Sequence, residues 1–205
     1  MFNIQTENLS VEPTKVVDKF KEIIIANNHP TSYGKFMKHA CVFMLLCDVD
    51  DNPSILSILK ADNKGYPWAN QVALPGGHVD KEDNGPLDTA YRELNEEMGI
   101  IESNVEYIGN MGFFQTINST EIQVFTGIWN GTDEINFDSS EIAKVLKIPV
   151  ADVLKTHVDK KLYGRIPGYE ELLYPYEDVV VWGATARIFH YFTEYMFFES
   201  SKIYA

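Results

Sequence analysis

Apolar residues recur along this chain at two spacings, which together predict both helices and strands. Residues 13–27 carry apolar side chains three and four positions apart, as on one face of an amphipathic helix. Residues 40–48 form a continuous apolar run and predict a buried strand, with residues 54–59 as its partner across a turn. Shorter β-prone runs predict further strands at residues 71–74, 105–112, 122–129 and 179–182.

One predicted helix, at residues 86–98, has clear start and stop signals. Pro86 suits the first turn, where the missing N–H is no loss, and Gly99 is well placed to end the helix. Asp83 or Asn84 is expected to cap it upstream.

The second half of the chain predicts three more helices, at residues 140–146, 150–158 and 184–198, with an irregular segment at 159–178. Helices and strands interleave without strict βαβ regularity. We therefore expect a single domain over residues 1–205, with an α/β (α+β) fold in which a mixed β-sheet sandwich is flanked by helices.

The charge of the chain limits its ligands. Lys and Arg number 17 and Asp and Glu number 30, which gives a formal charge of −13. This balance argues against non-specific nucleic-acid binding, which needs basic patches. If the ligand is a phosphate compound, a metal ion must reduce the repulsion between ligand and protein.

Thiols and terminal sequence favour a cytoplasmic protein. Cys41 and Cys47 would lie about 20 Å apart on one face of the predicted strand, so they cannot form a disulfide with each other. They are expected to be buried free thiols. Residues 1–10 lack a signal-peptide pattern, and no run approaches the roughly 20 apolar residues that span a bilayer.

Candidate chemistry is concentrated in the helix at residues 86–98 and the loop before it. Glu93, Glu96 and Glu97 cluster near the helix C-terminus, where the helix dipole is already negative. A bound cation would turn this repulsion into attraction, and carboxylate oxygens suit Mg²⁺ or Mn²⁺. Gly76 and Gly77 permit close approach of the backbone to a ligand and can offer a carbonyl oxygen.

These residues resemble the Nudix box, in which two glycines lead through a loop to an R-E-x-x-E-E-x-G core. The matching residues are Gly76, Gly77, Arg92, Glu93, Glu96, Glu97 and Gly99. The loop between Gly77 and Arg92 is one residue longer than usual, with Asp83 in place of the usual glutamate. The resemblance implies a Nudix core at residues 40–190 after an N-terminal helical extension at residues 1–35.

The longer loop with an aspartate resembles the coenzyme A pyrophosphatase branch of the superfamily. Residues 70–77 and 180–188 are similar to segments of that branch, and residues 140–150 resemble its segment that supplies a further acidic residue. The arginine that the branch usually shows before N-Q-V-A is absent, and the neighbourhood holds Lys60 instead.

The resemblance implies metal-assisted hydrolysis of a diphosphate, most closely that of coenzyme A or an acyl derivative to phosphopantetheine and adenosine 3′,5′-bisphosphate. Glu93, Glu96, Glu97 and the Gly77 carbonyl would hold two or more Mg²⁺ (or Mn²⁺) ions. Glu93 or Glu141 would accept the proton of the attacking water, and Arg92 would orient a carboxylate. Replacing Glu97 with Ala is expected to abolish most turnover and leave the fold intact, because it relieves charge crowding.

Other functions are also compatible with the sequence. The substrate could be ADP-ribose, a nucleotide sugar or a non-standard nucleoside triphosphate, or the domain could be a non-catalytic nucleotide sensor. Tyr163 and Arg165 are candidates for substrate binding, or belong to a loop pinned to the surface. His39, His78 and His157 are expected in surface or loop positions. The resemblance also implies a homodimer, since members of the superfamily often pair.

Overall fold

The computed structural model describes residues 12–26, 29–32, 34, 38–65, 68–116 and 119–198. The predicted end of the first helix, at residue 27, lies outside this part. The helices are α1 (Pro13–Ala26), α2 (Pro86–Met98), α3 (Val150–Asp159) and α4 (Gly183–Thr193), and α4 continues as a π-helix over Glu194–Phe198. The strands are β1 (Lys38–Cys47), β2 (Ser54–Lys60), β3 (Val72–Ala73), β4 (Gly76–His78), β5 (Val105–Gln115), β6 (Thr120–Trp129), β7 (Ile142–Pro149), β8 (Tyr174–Tyr176) and β9 (Val179–Val181).

A seven-stranded mixed sheet is built around β1. The order β3-β2-β1-β6-β5 runs through the sheet, and β7 adds to β2. Strand β1 pairs in parallel with β6, and its opposite edge is divided: Leu46 and Cys47 pair with β2, whereas Ala40 to Val42 pair with β4. A separate two-stranded sheet joins β8 and β9. The predicted mixed sheet flanked by helices is confirmed.

Alternating side chains of β1 enter two apolar cores on opposite faces of the sheet. Val42, Met44 and Leu46 join the core that contains residues of α1, α3 and α4. Cys41, Phe43, Leu45 and Cys47 join the core under α2. This alternation follows from the period of two in a strand. Both cysteines are therefore buried free thiols on one face, as predicted.

Three local predictions are wrong. Residues 174–176, within the segment predicted to be irregular, form strand β8. Residues 140 and 141 form a turn and residues 142–146 belong to strand β7, because pairing with β2 and burial of Ile142 and Leu146 outweigh a helix-like start. Helix α2 has Gly85 at its N-cap with no side-chain cap, whereas Asp83 contacts Arg92. The predicted ends of α2 are confirmed, and Gly99 adopts the left-handed conformation with φ of 72°.

No helix among the described residues combines the length and apolar character needed to cross a membrane.

Candidate active site

The glycine pair fixes the floor of the site, and each glycine is needed for a different reason. Gly76 has φ of 142°, and a Cβ there would lie 2.6 Å from the Val42 Cα of the neighbouring strand. A Cβ on Gly77 would lie 2.6 Å from a carboxylate oxygen of Glu93. Backbone pairing thus excludes a side chain at the first position, whereas one at the second would displace the Glu93 carboxylate.

Glu97 is the buried member of the acidic group. Its Oε1 accepts a hydrogen bond from Lys60 Nζ at 2.6 Å, and its Oε2 accepts one from the Gly76 N–H at 2.8 Å. Burial raises the pKa of this carboxyl, and the contacts with Lys60 and Gly76 oppose that rise. Glu97 therefore links α2 to both β2 and β4.

This environment changes the expectation for truncation of Glu97. The Glu97 and Lys60 side chains are 5% and 15% exposed, so the pair is largely shielded from water. Removing one partner of a buried pair leaves the other charge uncompensated, at a cost of about 3–5 kcal/mol. We therefore expect Glu97→Ala to weaken the fold rather than to relieve crowding.

Arg92 holds the more exposed acids in place. Its Nε and Nη2 donate to the two oxygens of Asp83 at 2.9 and 3.1 Å, and its Nη1 donates to Glu93 and Glu96 at 2.9 Å each. The guanidinium holds the pKa of Asp83 well below its usual range. Asp83 Oδ2 also accepts a hydrogen bond from the Thr89 hydroxyl at 2.7 Å. The aspartate of the longer loop thus anchors the arginine that orients the helix glutamates.

A cavity of about 570 Å³ opens above these groups. Glu93, Glu97, Arg92 and Lys60 line it together with Glu141, whose side chain is exposed at the start of β7. Glu141 reaches the cavity because its carbonyl accepts the Ala61 N–H, which fixes the turn beside the end of β2. The exposed Glu96 is not among the lining residues but contacts Arg92, which is. The structure thus brings the predicted acidic residues to one region.

The donor chemistry of this cavity fits a hard divalent cation. Carboxylate oxygens from Glu93, Glu97 and Glu141 face one space, and such ligands suit Mg²⁺ or Mn²⁺. Across the described ranges, no three acidic side chains of this cavity have donor atoms within 4.8 Å of one another. Lys60 and Arg92 draw the carboxylates apart, so a cation has to replace these contacts as it gathers its ligands.

A second cavity, of about 210 Å³, adjoins the first. The two share Lys60, Gly76, Gly77 and His78 as walls. The remaining walls are mainly apolar or aromatic, and they include Trp68, Trp182 and the first turn of α4. Trp182 lines this cavity and is 41% exposed. In the sequence, the signal for the junction of the two cavities is Lys60, a basic residue at the end of an apolar strand.

Other predicted residues lie elsewhere. Tyr163 stacks on Phe198 at 5.2 Å between ring centroids, and Arg165 binds Glu171 at 2.7 Å. Neither lines either of the two cavities formed by described residues. Their role in substrate binding remains a prediction without support from this arrangement.

The expectation for the histidines is wrong for one of them. His39 and His78 are exposed, as predicted for surface positions. His157 is fully buried and contacts Glu194 at 2.7 Å, because it lies on the face of α3 that packs against α4.

Comparison with known proteins gives one family. The family model described as NUDIX domain matches residues 37–166. A relative from Pectobacterium atrosepticum, "Uncharacterized Nudix hydrolase NudL", is 28% identical over 124 residues, which cover 60% of this chain and 65% of the relative. Its namesake from Yersinia enterocolitica is 27% identical over 162 residues, which cover 78% and 82%. The chain therefore spans slightly less than two thirds of the length of the first relative.

A solved structure supports the fold alone. A protein of Deinococcus radiodurans aligns with a TM-score of 0.51 at 13% identity, covering 74% of this chain and 80% of that one.

Proposed function

Since this chain belongs to the Nudix family, whose domain model matches more than half of it, we propose that it is a metal-dependent hydrolase of a diphosphate linkage in a nucleoside diphosphate derivative. The observation that carries the proposal is the convergence of Glu93, Glu97 and Glu141 on one cavity beside Lys60 and Arg92. An acidic chain can accept a diphosphate there only with cationic help, because its formal charge is −13.

Each group has a separate task in this mechanism. Glu93, Glu96 and Glu97, with the Gly77 carbonyl, would hold Mg²⁺ or Mn²⁺. When bound, the cation neutralises the diphosphate, polarises a phosphoryl oxygen and lowers the pKa of a coordinated water. Lys60 borders both cavities, so its ammonium can donate to a phosphate oxygen at their junction once Glu97 has turned to the cation. Arg92 keeps Glu93 and Glu96 oriented.

Two carboxylates are candidates for the general base. Glu93 accepts a hydrogen bond from Arg92 at 2.9 Å. Glu141 is exposed and lines the same cavity. If Glu141 is the base, Glu141→Gln lowers kcat and removes the acid limb of the pH–rate profile without changing the affinity for Mg²⁺. If Glu93 both binds the cation and accepts the proton of the water, Glu93→Gln lowers kcat and the affinity for Mg²⁺ together.

We propose coenzyme A or an acyl derivative as the substrate. The segments that resemble the coenzyme A branch, residues 70–77 and 180–188, both contribute residues to the walls of the second cavity. The third, residues 140–150, contributes Glu141 to the first. A substrate whose diphosphate lies in the first cavity would therefore place one of its halves against the apolar and aromatic surface of the second. The N-terminus of α4 lies nearby for an anionic group of that half.

A panel assay tests the proposal. The full chain is incubated with Mg²⁺ and coenzyme A, ADP-ribose, nucleotide sugars or dinucleoside polyphosphates, and the products are identified by mass spectrometry. We expect phosphopantetheine and adenosine 3′,5′-bisphosphate from coenzyme A, with loss of turnover on chelation of the metal. A different preferred compound overturns the substrate proposal alone. Tight binding of one compound without turnover of any overturns the enzymatic proposal in favour of a sensor.

A further inference from the structure

A buried polar cluster lies far along the chain from the residues of the acidic cavity. His157 of α3, His190 of α4 and Glu194 at the start of the π-helix are all fully buried. One ring nitrogen of each histidine and one carboxylate oxygen lie within 4.8 Å of one another. Ionisable side chains are rarely buried without a compensating partner, so the cluster needs a physical explanation.

The hydrogen bonds indicate the state of the two rings. His190 Nε2 lies 3.1 Å from the Leu162 carbonyl, which can only accept, so this nitrogen donates. With Nε2 as the donor, Nδ1 carries the lone pair of the neutral ring. A neutral imidazole is the form that binds a metal ion.

His157 presents a nitrogen directly to the carboxylate. Its Nε2 lies 2.7 Å from Glu194 Oε1, while its Nδ1 lies 3.0 Å from the Tyr174 hydroxyl. At that distance the two atoms share a proton, which a bound cation would have to displace. Ligand histidines commonly use their second ring nitrogen to bind a polar group, as both rings do here with Tyr174 and the Leu162 carbonyl.

We propose that His157, His190 and Glu194 form a binding site for a borderline divalent cation, with Zn²⁺ as the representative ion. Two imidazoles and a carboxylate are ligands that Zn²⁺ uses, whereas the carboxylates of the acidic cavity suit harder ions such as Mg²⁺. The cation replaces the proton between His157 and Glu194. Glu194 also accepts the Gly164 N–H at 3.1 Å, so the site links α3, α4 and the loop that follows α3. A π-helical turn begins at Glu194, and such turns are frequent at functional sites.

The first test uses a chain in which the acidic cavity cannot compete for the ion. The Glu93→Gln/Glu97→Gln variant keeps the proposed site intact. After chelation and desalting it is titrated with Zn²⁺ alone and, separately, with Co²⁺. We expect one ion per chain with submicromolar affinity for Zn²⁺, a rise in melting temperature and the visible absorption of four-coordinate Co²⁺. Absence of a bound ion at tens of micromolar Zn²⁺ overturns the proposal and leaves a shared proton between His157 and Glu194.

The second test assigns the ligands. Adding His190→Gln to the same background should weaken Zn²⁺ binding at least about 100-fold, since losing a ligand costs more than losing its supporting hydrogen bond. His78→Gln, at an exposed histidine, is the matched control and should leave Zn²⁺ binding unchanged. Unchanged binding in the His190 variant overturns the assignment. Should that variant fail to fold, the titration of the intact cluster still decides whether the site exists. Neither result depends on hydrolytic activity.

Discussion

The acidic cavity, lined by Glu93, Glu97 and Glu141, and the buried cluster of His157, His190 and Glu194 both contain ionisable side chains, but they differ in exposure to solvent. Around the cavity, Glu96 and Glu141 are exposed to solvent, and Lys60 and Arg92 supply positive charge. In the cluster every ionisable ligand is fully buried, and the neutral His190 supplies a lone pair rather than a charge.

The difference teaches which task each arrangement can perform. The carboxylates around the open cavity can exchange Lys60 or Arg92 for a cation and a substrate, as catalysis requires. A closed set of imidazoles and one carboxylate cannot exchange ligands readily, and it therefore serves to fix neighbouring elements. Four substitutions would break or sharpen this contrast.

Glu97→Gln should have the largest effect, on turnover. Amide for carboxylate keeps the shape and a hydrogen bond to Lys60 but removes a charged ligand of the cation. The loss of several kcal/mol of transition-state stabilisation predicts a fall in kcat of about 10³-fold or more at saturating Mg²⁺. Glu102→Gln makes the same charge change at an exposed residue just beyond α2 and should keep wild-type kcat. Equal kcat in the two variants would contradict the proposed role of Glu97.

His190→Gln should have the next largest effect, on stability in acid. Burial lowers the pKa of His190 from 6.5 to about 4. The unfolded chain gains a proton below about pH 6.5 while the folded chain does not, so stability is lost as the pH falls through this window. In chelator-treated protein the loss is up to about 3 kcal/mol, measured by urea unfolding at each pH. The variant should show a flatter dependence, whereas His78→Gln should follow the wild type.

Glu97 should give the opposite pH dependence, which sharpens the comparison. Burial raises its pKa above the usual 4.5. Its contribution to stability is therefore present below about pH 4.5 and is lost as the pH rises through the pKa of the folded state. Parallel curves for Glu97→Gln and wild type would contradict this direction.

Arg92→Lys should have an intermediate effect on catalysis. Lysine keeps the charge but cannot bind both oxygens of Asp83 while donating to Glu93 and Glu96. Because Glu93 and Glu96 would be held less firmly, we expect kcat/KM to fall about 10- to 100-fold. Arg187→Lys, at an arginine that contacts the Tyr169 hydroxyl, is the control. A wild-type kcat/KM in Arg92→Lys would show that the charge alone suffices.

Trp182→Ala should have the smallest effect, and it concerns substrate affinity. An aromatic contact is worth about 0.5–1.5 kcal/mol, which predicts a rise in KM for coenzyme A of up to about tenfold with little change in kcat. Tyr169→Ala removes an exposed aromatic residue that lines neither cavity and should leave KM unchanged. A fall in kcat without a change in KM would place Trp182 outside the binding surface.

The helix and the turn that position the acidic residues could be predicted from the sequence because their signals are local. Pro86 and Gly99 mark both ends of α2, and the spacing of Glu93, Glu96 and Glu97 sets where the carboxylates emerge. The two glycines are recognisable for the same reason, since the backbone conformation at Gly76 requires the residue that is found there.

The regions that the sequence missed depend on contacts between distant segments. Strand β7 begins like a helix, and pairing with β2 decides its conformation. His190 and Glu194 are four residues apart on one helix, a signal that was available, but the inclusion of His157 depends on how α3 packs against α4. Lys60 likewise gains its partner Glu97 only when β2 and α2 come together.

The divided edge of β1 has a consequence for how this domain can change over time. Strands β2 and β4 pair with different parts of one edge of β1, and a recess is lined by Lys60 of β2 together with Gly76, Gly77 and His78 of β4. The recess is a product of strand geometry and does not depend on the side chains at its rim. Mutations at the rim can therefore alter which molecule is accepted while the place that receives it persists.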